Sequence, residues 1–521
     1  MRAMILALAV CFVAAPADAR RDRTVTGDVI KAARFLATSR LDDARTLLAD
    51  LEKRGADSPE VKWLRAELAF QTGDYAGALK LLDKVPDGEV DGLVGQTRKL
   101  AASTLSVTEA FAETRSPKGR FLIRYAPGPD ATIAELAGEV LDAAWETIGD
   151  DLGYKPADPI RVELLGAPAD LAKLSPLTEA EIETTGTIAL SKYNKLMVVS
   201  PRATIFGYPW MDTLAHEYTH LVVSRLAHDT VPVWLQEGIA RFEQSRWRRP
   251  PEVVLSATEQ ALLASALKKG RLISFDEMHP SMAKLPSQEA AALAYAEVYT
   301  LVGWMHEKVG FEGIRAALTA QRDGRTARRA VAEALAMSWS AVEKEWHKDL
   351  KAERSDRPDK AARAGKPIKF AKGGVDSDNV GLDQVNVRAR KHARLGGMMR
   401  ARGMHEAAAI EYEKALTAGG PDPFVAGKLA RTLIELGKHE RAIELATPLA
   451  AADDRDAVAS VTLGMARLAR HEWSQAAIAF ESALRISPFD PTTRCGLAEA
   501  YGQLNDPRAQ RERTACDELK R

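Results

Sequence analysis

A period of 34 residues runs through the C-terminal part of the chain and sharply limits what it can fold into. Gly396, Ala430 and Gly464 are spaced by 34, and so are Ala408, Ala442 and Ala476. Tyr412, Ala446 and Phe480 keep the same step, as do Ala415, Leu449 and Ala483. Pro488 follows where the second helix of a pair should end, and Gly403 and Gly437 mark turns between paired helices. Self-similarity at this period marks stacked supersecondary units. The N-terminal region carries a fainter copy: Ala32 and Ala66, Ala44 and Ala78, and Leu48 and Leu82 are each 34 apart, with Gly73-Asp74 as a turn. One Ala column alone is ordinary helix packing; several in one register are a repeat. Aromatic residues are only 6% of the chain, which suits closely packed helices better than a β-sandwich.

These columns resemble the tetratricopeptide repeat, whose helix pairs touch through small side chains at such positions. The resemblance implies three full repeats and a partial fourth over 388–521, and two repeat-like hairpins over 25–90 followed by a helix to 113. It also implies protein partners, since solenoids of this kind serve as binding surfaces or spacers. Lys plus Arg (72) equals Asp plus Glu (72), so no overall field recruits nucleic acid or an anionic membrane, and no nucleic acid is expected as a partner.

Arg2, the apolar stretch Ala3 to Ala15 and Ala17-Asp18-Ala19 form the pattern of a secretory signal peptide, with Arg20 as the first mature residue. The apolar run is short for a membrane span, which needs about 20 residues. A periplasmic or secreted protein without stable membrane insertion is expected. Cys495 and Cys516 then remain, either as one disulfide or as two separate thiols; no C-x-x-C spacing makes them metal ligands or nucleophiles. Between Lys351 and Lys372 a basic residue recurs at every third position, with Pro358, Gly365 and Pro367 interspersed. That step does not match a helix, so 353–387 reads as an exposed basic linker, with contact to an anionic surface as the alternative.

The texture of the middle differs. Arg120–Tyr125 and Ile160–Leu165 read as strands, 131–152 as a helix, and Gly186–Leu190 and Leu196–Ser200 as two strands around a Tyr193-Asn194-Lys195 turn. A helix-length run from Trp210 to Ser224 contains His216-Glu217-Tyr218-Thr219-His220. Residues four apart lie one turn along on nearly the same face, so both imidazoles can reach one ion. Glu217 sits about 100° round from His216, beside that ion, where it can take a proton from a zinc-bound water. Two neutral imidazoles suit zinc and leave room for one more ligand and a water. Glu237, on a second helix starting near Trp234, is the candidate third ligand. His228 competes, but the metzincin pattern needs Gly and His where Val223 and Leu226 stand.

His216-Glu217-x-x-His220 followed by Trp234-Leu235-x-Glu237-Gly238-x-Ala240 resembles the gluzincin zinc metallopeptidases, specifically bacterial peptidase-MA-like domains, over 116–352. The resemblance implies His216, His220 and Glu237 as Zn2+ ligands, Glu217 as general base, and the strand near Gly186–Leu190 as an edge that pairs with an extended peptide. It also implies a Tyr or His that hydrogen-bonds the developing oxyanion. Tyr295 is the first candidate; Tyr299, on the same helix face, is the second. Glu243 is either a residue orienting a ligand histidine or a surface acid. The expected architecture is mainly α, with an α+β zincin-type metallopeptidase domain (116–352) between tetratricopeptide-like helical regions (20–115 and 388–521), after a signal peptide (1–19) and with the basic linker (353–387) between. The expected function is an exported zinc metallopeptidase whose repeats recruit protein substrates or partners. The alternative is a repeat-based protein-binding scaffold with a non-catalytic zinc domain.

Overall fold

The computed structural model describes residues 21–248, 255–279, 282, 285–354, 370, 382, 385–452 and 457–520. The signal peptide expected over 1–19 and most of the linker expected over 353–387 lie outside them. The chain is mostly helical with one small sheet, and tetratricopeptide-like helices precede and follow the central domain along the sequence. It divides into two compact units. One gathers the described parts of 1–199, 213–254 and 261–360; the other gathers those of 200–212, 255–260 and 361–521.

The first unit opens with five helices: α1 (Arg21–Ala37), α2 (Leu41–Lys53), α3 (Pro59–Gln71), α4 (Tyr75–Leu82) and α5 (Leu93–Thr108). The columns read from the sequence are their core: Ala32, Ala44, Ala66, Ala78, Leu48 and Leu82 are all buried. Ser58 and Asp74 cap α3 and α4, their side chains accepting from Val61 and Gly77 N–H and so satisfying donors the helix leaves open. The helix expected to 113 stops at Thr108. Strand β1 (Ala112–Arg115) pairs antiparallel with β2 (Phe121–Tyr125), so the sheet begins before the boundary expected at 116. These helices also fall in the same compact unit as the central domain rather than in one of their own.

After α6 (Ala131–Leu152) come β3 (Ile160–Leu165), the short helices α7 (Pro168–Leu174) and α8 (Glu179–Thr185), β4 (Ala189–Lys192) and β5 (Lys195–Val199). The sheet order is β1-β2-β3-β5-β4, parallel at β2/β3 and β3/β5 and antiparallel at both edges. The central strands β3 and β5 are almost wholly buried, which is why they read as continuous apolar runs. Strand β4 is shifted toward the C-terminus of the expected 186–190, because Tyr193-Asn194 alone makes the turn and sets the register Lys192↔Lys195. The remaining helices of this unit are α9 (Trp210–Ala227, whose first residues count with the other unit), α10 (Val233–Glu243), α12 (Gln288–Arg322), α13 (Ala327–Ala334) and α14 (Trp339–Arg354); α11 (Ala257–Lys269) precedes α12. Gly310 (φ 61°, ψ −169°) interrupts α12.

In the second unit, α15 (Val387–Ala401), α16 (His405–Gly419), α17 (Pro423–Glu435), α18 (His439–Ala452), α19 (Ala457–Ala469), α20 (Trp473–Leu484), α21 (Pro491–Gln503) and α22 (Ala509–Leu519) form consecutive hairpins. The 34-residue columns now have a steric meaning. A Cβ on Gly396 would lie 2.8 Å from the Tyr412 ring, and one on Gly464 2.7 Å from the Phe480 ring. Where the middle repeat has Ala446 in the aromatic place, Ala430 replaces the glycine. Small faces large, so that paired helices keep one spacing. Gly464→Ala is therefore expected to destabilise this unit by about 1–3 kcal/mol through overpacking, seen as a lowered thermal midpoint, whereas Ala430→Gly should not relieve any clash.

Cys495 and Cys516 form a disulfide joining α21 to α22, which settles the choice left open by the sequence. Beside it Arg494 and Glu512, both fully buried, make an ion pair of 2.7 Å. In the same unit Trp210 donates its indole N–H to the Leu484 carbonyl (3.0 Å), and Tyr208 N–H donates to the Ile486 carbonyl.

Candidate metal centre

Helix α9 carries two faces with different tasks. Tyr218 is fully buried and meets Phe121 of β2 edge-on (5.4 Å), and Leu214, Leu221 and Val222 are buried with it. His216 and His220 lie about half a turn away from Tyr218, as the helix period dictates. Helix α10 brings the third group. Gly238, next to Glu237, passes so close to α12 that a Cβ would sit 2.9 Å from the Val298 carbonyl. Trp234 at the start of α10 is held among Phe275 (4.6 Å) and Trp339 (5.9 Å). The glycine lets α10 approach α12, and the aromatic cluster fixes its other end.

The result is a triangle of donor atoms. His216 Nε2 and His220 Nε2 are 3.1 Å apart, and Glu237 Oε2 lies 3.3 Å from the first and 3.5 Å from the second. Among the described residues this is the group of three or more such side chains that could hold a metal ion. Two imidazole nitrogens at that separation need a proton or a cation between them. A tetrahedral zinc with bonds of about 2.0–2.1 Å has ligand–ligand edges of about 3.3–3.4 Å, matching the triangle closely. The donor set, two nitrogens and one carboxylate oxygen, also fits zinc. His228, the competing candidate, sits in the turn after α9 with a left-handed φ of 52° and is not part of this cluster.

The charges reinforce the arrangement. Burial works against protonation of His220, but the charge and hydrogen bond of Glu237 outweigh it and raise the imidazole to about 9. Burial likewise opposes ionisation of Glu237, yet the His220 charge and hydrogen bonds from both imidazoles hold it well below the usual carboxylate range. The cluster thus favours a cation at its centre. Glu217 is buried and adjacent; burial raises its carboxyl, against the lowering influence of both histidines and of a hydrogen bond from the Ser191 backbone N–H on β4.

Tyr295 and Tyr299 diverge on α12. The charge of Glu237, then burial and Glu217, push the Tyr295 hydroxyl well above its ordinary value. Tyr299 packs its ring against Phe242 at 6.1 Å. Glu243 is neither of the two things expected of it. It is fully buried beside Asp151, and burial followed by the Asp151 charge raises its carboxyl well above normal, with Arg246 Nε (3.5 Å) opposing.

Residues 142–352 match the sequence profile of the peptidase MA superfamily. The chain carries a peptidase MA superfamily domain. Tetratricopeptide repeat profiles match 31–89 and 428–491, on both sides of the peptidase MA domain. No curated protein sequence matches significantly. Among solved structures, a thermophilic tetratricopeptide repeat protein of Thermus thermophilus is 24% identical, covering 25% of this chain and 74% of that one at a TM-score of 0.24. Yeast LTA4 hydrolase in complex with bestatin is 11% identical, covering 79% of this chain and 64% of that one at a TM-score of 0.27. Both scores are too low to define a shared fold.

Within the peptidase MA domain, two neighbours of the cluster were not legible in the sequence. Ser191 acts through its backbone, so its side chain gives no signal. Arg241, four residues after Glu237, opposes the shift of Tyr295, and its helical spacing from Glu237 could have drawn attention to it.

Proposed function

We propose that the chain is an exported zinc-dependent metallopeptidase of the gluzincin type. The observation that carries this reading is the convergence of His216, His220 and Glu237 at zinc-compatible separations, in a domain of the peptidase MA superfamily. His216, His220 and Glu237 would hold the ion. When bound, zinc supplies Lewis-acid polarisation and lowers the pKa of a water toward about 7.

The chain's own residues supply the rest. Glu217 lies beside the cluster without being one of its three donors, so its carboxylate is free to accept the proton of the attacking water and later deliver it to the leaving amine. Tyr295 would donate its hydroxyl hydrogen bond to the scissile carbonyl oxygen as that oxygen gains charge. Edge strand β4, with Ser191 already touching Glu217, offers main-chain groups to an extended peptide. The C-terminal repeats would recruit protein substrates or partners. The signal-peptide pattern at the N-terminus and the Cys495–Cys516 disulfide support export.

Zinc titration of the full chain tests the metal assignment. About one equivalent should bind, and Glu237→Ala and His220→Ala should each weaken binding by at least about tenfold. A chain that takes up no zinc, or binds it equally well in both variants, overturns the assignment.

A further inference from the structure

The β4–β5 hairpin ends in a tip that two other elements grip. Tyr193 and Asn194 form a two-residue turn, both with left-handed φ (53° and 59°), as such hairpins require. Asn tolerates that conformation; a bulky Tyr does not, and a residue held there against its preference points to a local demand. The demand is visible. The Tyr193 ring packs edge-on against Phe70 of α3 at 5.2 Å and joins the apolar core of the N-terminal helices. Asn194 Oδ1 accepts from Arg225 Nε of α9 at 2.9 Å.

The adjoining residue is tied the same way. Lys195, almost wholly buried, donates to the Tyr75 hydroxyl at 3.0 Å and lies over the Phe70 and Tyr75 rings at 4.9 and 4.7 Å. Tyr75 donates to Glu163 of β3 at 3.1 Å, and Arg124 of β2 donates to the same carboxylate at 3.2 Å. So α4 is bonded to β2, β3 and β5 through one buried polar network, and α3 adds the Phe70 ring beneath Lys195. Two residues before the tip, Ser191 of β4 hydrogen-bonds Glu217.

We infer that the N-terminal helical repeats are a positioning element of the catalytic domain: Tyr193 on Phe70, with Lys195 on Tyr75, fixes edge strand β4 beside Glu217 and so sets how tightly an extended peptide is gripped. This rests on the peptidase reading above and deepens it. Tyr193, Lys195 and Tyr75 are positioning residues acting through β4. The N-terminal repeats are then committed to the domain they adjoin, and recruitment falls to the C-terminal ones.

The test uses the full zinc-loaded chain with Tyr193→Ala, Tyr193→Phe and Tyr75→Phe. Backbone hydrogen exchange is followed over 186–199, and KM and kcat are measured on an internally quenched peptide long enough to pair along β4. In Tyr193→Ala the amides of 189–192 should exchange at least about tenfold faster, while 210–227 and the zinc content stay as in the wild type. KM should rise about tenfold with kcat within about threefold, and Tyr193→Phe should restore wild-type behaviour. If Tyr193→Ala does not fold, Tyr75→Phe decides, with a smaller shift of the same kind. Wild-type exchange at 189–192 overturns the inference, as does acceleration spread evenly over the domain, or an unchanged KM once β4 has loosened. A wild-type chain that hydrolyses nothing sinks the peptidase reading instead, and the exchange measurement still decides whether these helices hold β4.

Discussion

Glu217→Gln is expected to reduce kcat/KM for peptide hydrolysis by about 10²–10⁴-fold while leaving the bound zinc in place. Gln has nearly the same shape, and its amide oxygen can still accept the Ser191 N–H. What it cannot do is take up a proton. Because the triangle proposed to hold the metal is His216, His220 and Glu237, removing the Glu217 charge leaves all three donors intact. The variant should not lose stability either, since a buried carboxylate costs desolvation energy that a neutral amide largely avoids. Metal analysis and steady-state kinetics on one preparation check both halves. Loss of zinc together with activity would instead make Glu217 a structural support of the site.

Tyr295→Phe is expected to lower kcat by about 10²–10³-fold with little change in KM, as for an oxyanion donor that strengthens only in the transition state. The reason lies in how α12 presents its two tyrosines. Tyr295 feels the charge of Glu237 more strongly than any other influence, with Glu217 also contributing, whereas Tyr299 sits on the Phe242 ring. Tyr299→Phe should therefore leave kcat within about threefold of wild type, because it keeps the ring that packs. The reverse pattern would assign the donor role to Tyr299.

Much of the site was legible because its information is local. Four residues separate His216 from His220, and the helix period alone puts them on one face. Glu237 was within reach because the second helix announces itself by Pro232 and Trp234. The repeat columns were legible for a similar reason, since the contacts of Gly396 with Tyr412 and Gly464 with Phe480 span only neighbouring helices. The missing parts depend on distant partners. Ala112-Glu-Thr-Arg115 has no strand pattern of its own and is extended only because β2 supplies its ladder. Strand β4 lies further along the chain than its sequence suggests because Tyr-Asn is an unusual pair for a two-residue turn, stabilised here by Phe70 more than 100 residues earlier. The setting of Glu243 depends on Asp151, which belongs to a distant stretch of the chain. Pairing of Cys495 with Cys516 likewise needed the hairpin of α21 and α22 to close.

We propose that this domain hydrolyses peptide bonds with zinc held by His216, His220 and Glu237. A peptide-library cleavage assay on the full chain, read by mass spectrometry before chelation, after chelation and after zinc is restored, tests it most directly. Defined cleavage sites are expected that vanish with the chelator, return with about one equivalent of zinc and are absent from Glu217→Gln. Cleavage that survives complete removal of the metal, or none at all from the zinc-loaded wild-type chain, would contradict it.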